Sequence, residues 1–271
     1  MADSPNLPPA LSQAGYFLQA IFYAWREVAL RWKLRSYNHH EPGPGINVSI
    51  DTRSTYGQDD GGSIFDDFPN LQGPSPVGKI VLAYYGCGDA LCFMYHVVKP
   101  VFDALLSDRI ITKVEEVRVE IKLTKKFVFA VSEGAPHGQA AHALYRVETL
   151  SGEQYAVDLS GPQYGILDRP VVPWTEYRDG YVEKVLAIVD FGQHFAQTSS
   201  MQAHEPTFVM ARDMDEAIQH WCESKKLKLG DVLMMGGGRE FEHAQAEICH
   251  AVSESVREGA RKRMAEEADD E

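Results

Sequence analysis

The sequence predicts a mixed helix-and-strand protein in which a cysteine-bearing helix follows a short strand and an alternating hairpin lies downstream. Three observations lead there. Near both ends of the chain apolar residues recur at three- and four-residue intervals, the period of a helix that packs by one face. The stretch "KIVLAYYGCGDALCFMYHVVKPVFDALL" (79–106) runs from β-branched and aromatic residues through Gly86-Cys87-Gly88 into helix-forming residues. "HALYRVETLSGEQYAVDLSG" (142–161) alternates apolar and polar residues on either side of a turn-forming Ser-Gly.

Each element follows in order. In residues 10–36, Leu11, Leu18, Ile21, Trp25, Val28 and Trp32 fall on one helical face, with Phe22 beside it. That aromatic face should pack against the core, and it is also the surface by which two copies would associate. Residues 41–78 concentrate Gly, Pro, Ser and Asp without a period and read as a long loop or lid. His39 and His40 precede this loop with no further ligand at metal-site spacing, so no metal is expected there. The core spans 79–190. After the cysteine helix, "KVEEVRVEIKL" and "KFVFAVSE" read as strands, "GAPHGQAA" as a loop, and "PWTEYRDGYVEKVLAIVDFG" as helical. The part from 191 to 265 is expected to be helical, with "DMDEAIQHWCESKKLK" as one helix and a last amphipathic helix carrying Phe241, Ile248, Val252 and Val256. The acidic residues 266–271 should be a disordered tail, leaving one domain over 1–265.

Composition bounds the function. With 271 residues, 44% of them hydrophobic, the chain can bury a core without staples. A formal charge of −13 opposes phosphate backbones, and Lys and Arg are dispersed, so nucleic acid is not an expected partner. Cys87, Cys92, Cys222 and Cys249 form no CxxC pair and read as free thiols of a reducing compartment. The opening "MADSPNLPPALSQ" has no basic start followed by an apolar run, and no window approaches the roughly 18 apolar residues of a membrane span. A cytoplasmic, soluble protein with no membrane partner is the expectation.

The chemistry concentrates at three residues. Cys87 falls at a helix start, where free N–H groups favour thiolate over thiol. Cys92, five residues on, lies inside the helix between Leu91 and Phe93 and reads as core. A thiolate nucleophile needs a base, and the base needs an acceptor that fixes its tautomer. His142 and Asp158 suit these roles if they share a face of the hairpin. Centring the hairpin on Leu150 sets Asp158 directly across from His142 and gathers Ala143, Tyr145, Val147, Tyr155 and Val157 on the opposite, apolar face. A tight two-residue turn at Ser151-Gly152 would shift that register and separate the two. His137, in the preceding loop, is a rival base without an orienting carboxylate. Gly88, which permits close approach of a carbonyl, and Gln163, just beyond the aspartate, are candidate substrate or oxyanion contacts. "MMGGGRE" lacks the Lys-Ser/Thr of a phosphate loop and reads as a connector, and His243 and His250 share a helix face without a third metal ligand.

A cysteine before a helix, "HALYRV" on one strand and "GEQYAVDLSG" on the next resemble the Cys-His-Asp core of the transglutaminase-like superfamily, and the strand pair is similar to that of arylamine N-acetyltransferases. The resemblance covers roughly residues 80–165. Two features depart from it: the longer glycine- and arginine-containing approach to the cysteine is missing, and Leu144 stands where an aromatic usually follows the histidine. "SGEQYAVDLSGPQYG" with "VPWTEY" is also similar to a stretch of uncharacterised fungal proteins. The resemblance implies a papain-like α+β core, with a helix carrying the cysteine packed on an antiparallel sheet and extra helices at both termini. It further implies acyl transfer or amide-bond chemistry without a cofactor, in which Cys87 attacks, His142 shuttles the proton and Asp158 orients it. The partners would be a small-molecule or peptide acyl donor and an amine or water acceptor. Two alternatives stand beside this: a non-catalytic binding or scaffold protein on the same fold, and a Rossmann-like domain whose Gly86-Cys87-Gly88 turn binds a nucleotide-type ligand, which a parallel strand order would favour.

Overall fold

The computed structural model describes residues 7–29, 33–39, 46–51, 76–122, 128–130, 141–199, 206–235 and 238–269. In chain order these form α1 (Pro9–Arg26), β1 (Lys33–His39), β2 (Ile46–Asp51), α2 (Pro76–Ala83), α3 (Cys87–Cys92), α4 (Tyr95–Ser107), β3 (Ile111–Ile121), β4 (Val128–Ala130), β5 (Ala141–Thr149) and β6 (Gln154–Val157). A 3-10 turn (Gly161–Tyr164) precedes β7 (Val171–Pro173), α5 (Trp174–Tyr181), β8 (Val182–Asp190), α6 (Gln193–Ser199), α7 (Pro206–Lys225), α8 (Leu229–Leu233) and α9 (Arg239–Asp269).

The central sheet has five strands in the order β7-β6-β5-β3-β8, antiparallel at every junction. Helices and antiparallel sheet make an α+β protein. This strand order overturns the Rossmann-like alternative, which needs a parallel sheet. The segment before Cys87 opposes that alternative too, because residues 76–83 form helix α2 where the sequence predicts a strand. A short apolar run carries no period that separates strand from helix. Pro76 at the first helical position suits a helix start, and Ile80, Val81, Leu82 and Ala83 are all buried.

One face of the sheet meets most of the helices. Tyr145, Val147, Tyr155 and Val157 join the cluster that includes α1, α3, α4, α7, α8 and α9, as the alternation in the hairpin predicts. The α1 stripe lies in the chain's own core: Leu11, Phe17, Leu18, Ile21, Phe22 and Trp25 are fully buried, each worth about 1.5–3 kcal/mol relative to exposure. The predicted face of α9 is buried as well, at Phe241, Ile248, Val252 and Val256, and Phe241 meets the Phe17 ring at 5.8 Å. A smaller cluster on the other face joins Val117, Leu144, Ala156, Tyr164, Trp174 and Tyr177.

Other expectations are corrected by pairing. The helix predicted over 10–36 ends at Arg26, and Lys33–His39 is a strand held against β2, with Tyr37 opposite Val48. The predicted loop 41–78 contains β2, whose Ile46, Val48 and Ile50 alternate, and the start of α2. The helix expected over 173–192 is α5 followed by the strand β8, whose Ile188 pairs with Val117. Of "KFVFAVSE", expected as a strand, Val128–Ala130 form β4, which runs parallel to β2, and the remainder lies outside the described residues. Helix α9 continues through Asp269, where a disordered tail is predicted, because an Ala- and Glu-rich segment is a good helix former. Among the described residues no helix is long and apolar enough to cross a membrane.

Candidate active site

Cys87 is the first residue of α3, with Gly86 at the N-cap position. Gly86 cannot carry a side chain, since a Cβ there would stand 2.8 Å from Phe22 Cζ and 3.1 Å from the Ala83 carbonyl oxygen. At Gly88 no atom of the described residues outside its chain neighbours lies within 4 Å of where a Cβ would be. Cys92 is buried at the other end of α3, as predicted for a core thiol, 3.3 Å from Thr198 Oγ1.

The hairpin closes by a three-residue loop. The Thr149 N–H donates to the Glu153 carbonyl, the Gly152 N–H donates to the Thr149 carbonyl, and Gly152 takes a φ of 82°, the arrangement of a turn followed by a left-handed glycine. Neither the register centred on Leu150 nor the two-residue turn is found. Tyr145 pairs with Val157 and Val147 with Tyr155, so that Asp158, continuing this ladder, stands across from Leu144 rather than His142. The displacement is two residues. An even displacement leaves every side chain on its face, and the His142 ring reaches Asp158 along the diagonal.

The two residues meet as the chemistry requires. His142 Nε2 lies 2.9 Å from Asp158 Oδ2, with the ring fully buried and Asp158 only 3% exposed. The Tyr177 hydroxyl from α5 donates to the same oxygen at 2.7 Å. The Ser160 N–H and hydroxyl donate to Oδ1 at 3.1 and 3.4 Å. Burial, and then the Asp158 charge, hold the Tyr177 hydroxyl well above its ordinary pKa, so it stays a donor. The ring of Tyr164 stands edge-on to His142 at 4.8 Å. Together these contacts leave the imidazole one orientation.

Burial alone would push the His142 pKa down. The Asp158 charge and hydrogen bond, joined by the hydrogen bond and charge of Cys87, push it up to about 10. The ring therefore holds its proton while Asp158 takes Nε2. Nδ1 is buried and has no partner of regular hydrogen-bond geometry among the described residues. Cys87 is partly exposed, with Sγ 4.0 Å from the Ala141 carbonyl oxygen, the residue before His142. The thiol thus stands beside an imidazole whose second nitrogen is free to exchange a proton with it.

Gln163 lies in the 3-10 turn, 6% exposed, with Nε2 unpartnered among the described residues. His137 and His40 fall outside the described residues, as does the side chain of His39. His243 is exposed and pairs with Glu247 at 3.3 Å, and His250 is exposed. No group of three His, Cys, Asp or Glu side chains capable of holding a metal occurs among the described residues. Of "MMGGGRE", residues 236–237 lie outside the described residues, and the remainder enters α9 at Arg239.

Sequence reasoning missed Tyr177, Ser160 and Arg26. Ser160 had a signal, since a serine two residues after an aspartate commonly closes a local side-chain turn. Tyr177 had none: it reaches Asp158 only because α5 folds back over the sheet. Arg26 stood in an otherwise apolar stripe, which is the mark of a buried charge with partners to find. Compared with known proteins, the chain matches no family model, no curated protein and no solved structure.

Proposed function

We propose that the chain is a cysteine-dependent enzyme of acyl transfer or amide-bond chemistry, built on a papain- or transglutaminase-like core. The observation that carries this reading is the buried His142–Asp158 pair at 2.9 Å, whose remaining imidazole nitrogen has no regular hydrogen bond among the described residues and whose ring interacts with a partly exposed thiol at a helix start. An imidazole with a pKa raised to about 10 favours the thiolate–imidazolium form of such a pair.

In this reading the Cys87 thiolate attacks the carbonyl carbon of an acyl donor, forming the C–S bond as the carbonyl electrons move to oxygen. The N–H groups of Cys87 and Gly88, and the unpartnered Gln163 amide, are the donors proposed for that oxyanion. Collapse breaks the bond to the leaving group, which takes the His142 proton, and leaves a thioester. An amine or water then gives its proton to His142 and attacks the thioester, releasing the product and restoring the thiolate. Asp158 keeps the ring oriented throughout. Substrates of this chemistry are small-molecule or peptide acyl donors, and free thiols suit a reducing compartment such as the cytoplasm.

The test is the pH dependence of iodoacetamide alkylation, mapped by intact mass and peptide analysis in the parent and in His142→Ala and Asp158→Asn. Cys87 should be alkylated selectively, and already at about pH 6, and lose that advantage without His142. A Cys87 that reacts like Cys222 and is indifferent to both substitutions would end the catalytic reading.

A further inference from the structure

We infer that Arg26 is a positioning residue for Cys87, a role that rests on the catalytic reading above. Arg26 is the last residue of α1, and its side chain is fully buried. Its guanidinium ties down the chain on both sides of the cysteine. Nε donates to the Leu82 carbonyl at 2.9 Å and Nη2 to the Tyr84 carbonyl at 2.9 Å, five and three residues before Cys87. Nη1 donates to Asp89 Oδ2 at 2.5 Å, two residues after it. The last turn of α2 and the first turn of α3 are therefore fastened to one rigid fork.

The segment between these anchors needs such a fastening. Tyr85 has a φ of 50°, a left-handed conformation that costs a bulky residue energy and persists only where the surroundings impose it. Gly86 follows with no room for a side chain against Phe22, which lies one helical turn before Arg26 and has the guanidinium carbon 6.0 Å from its ring centre. One end of α1 thus supplies both the wall and the clamp for the turn that presents the thiol. Among side chains only arginine offers a planar fork able to serve two carbonyls and a carboxylate at once, so lysine is not a substitute. A slack turn would let Cys87 leave the free nitrogen of His142, and with it the geometry in which the thiolate is favoured.

The experiment compares Cys87 alkylation against pH, with thermal melts as the folding control, in the parent, Arg26→Lys, Asp89→Asn and the double variant Arg26→Lys with Tyr85→Gly. In folded Arg26→Lys the low-pH limb should move up by about one pH unit, about a tenfold loss of rate at pH 6. Asp89→Asn keeps the shape of the clamp but weakens its charge-assisted bond, and should move the limb up by less. Glycine adopts the positive φ without strain, so Tyr85→Gly should restore part of the rate lost in Arg26→Lys, which a purely structural role would not predict. If Arg26→Lys does not fold, Asp89→Asn decides, and a limb that stays or moves down overturns the role. A low-pH limb present in the parent and unmoved in both single variants overturns the positioning role and leaves the triad standing. If Cys87 of the parent titrates as an ordinary thiol, the triad reading and the role of Arg26 fall together.

Discussion

Two carboxylates, Asp158 buried and Asp215 half-buried, show how differently this protein treats its acids. Asp158 receives the His142 ring, the Tyr177 hydroxyl and two donors from Ser160. Asp215, on α7, lines a cleft of about 280 Å³ with Cys92, Phe93, His96, Phe195 and Phe208, and its Oδ1 has no partner among the described residues. Burial, and then the charge of Glu216, push the Asp215 pKa up to about 7. With one oxygen unpartnered among the described residues, a half-buried Asp215 is pushed toward its protonated form. Burial with donors lets Asp158 raise the basicity of its histidine instead, and that difference separates the candidate active site from a merely enclosed acid.

The comparison can be broken most forcefully at Asp158. Asp158→Ala strands a buried imidazole and a buried phenol, and should cost about 3–5 kcal/mol in urea unfolding while abolishing the selective alkylation of Cys87. A loss below about 1 kcal/mol would mean that the network is not closed in solution.

The two regions also predict different pH windows. His142 has a folded pKa raised from 6.5 to about 10, so its contribution is complete below pH 6.5 and lost as the pH rises through about 10. Asp215 is raised from 3.8 to about 7, so the protonated acid is favoured in the fold and stability falls as the pH rises from about 4 through about 7. Unfolding free energy measured across pH should therefore decline in two stretches, the upper one flattened by His142→Gln and the lower one by Asp215→Asn. A single decline insensitive to either change would remove the contrast.

Smaller changes sharpen it. Tyr177→Phe deletes one of the donors to Asp158 and should cost about 1–3 kcal/mol, with the Cys87 alkylation limb moved only slightly. Asp215→Asn should do the reverse, raising stability at pH 8 by about 1 kcal/mol, since the cost of ionising a poorly solvated acid is removed. A destabilised Asp215→Asn would reveal a partner for that carboxylate.

Much of the site was legible because its pattern is local or even-numbered. A cysteine after Gly86 marks a helix start, and the alternation of the hairpin puts His142 and Asp158 on one face in any register displaced by two. The register itself was not legible. It depends on how Leu150, Ser151 and Gly152 close the loop, and a left-handed Gly152 suits a two-residue turn as well as the three-residue one found. Nor were the partners of Tyr177 and Arg26 readable, because Tyr177 is 19 residues from Asp158, and Arg26, although marked as a charge in an apolar stripe, is 63 residues from Asp89.

By itself the sequence determined the buried faces of α1 and α9, the core face of the hairpin and the helical setting of Cys87, because each follows from a short-range period or a turn residue. Only the tertiary structure decided that Ile80–Ala83 belong to a helix, that residues 182–190 are a strand, and that an arginine and a tyrosine from distant helices brace the cysteine and the aspartate. The physical reason is the same in each case. A short apolar run satisfies its backbone equally well as helix or strand, and a buried polar group accepts whichever partner the packing delivers, so the choice falls to contacts between segments far apart in the chain.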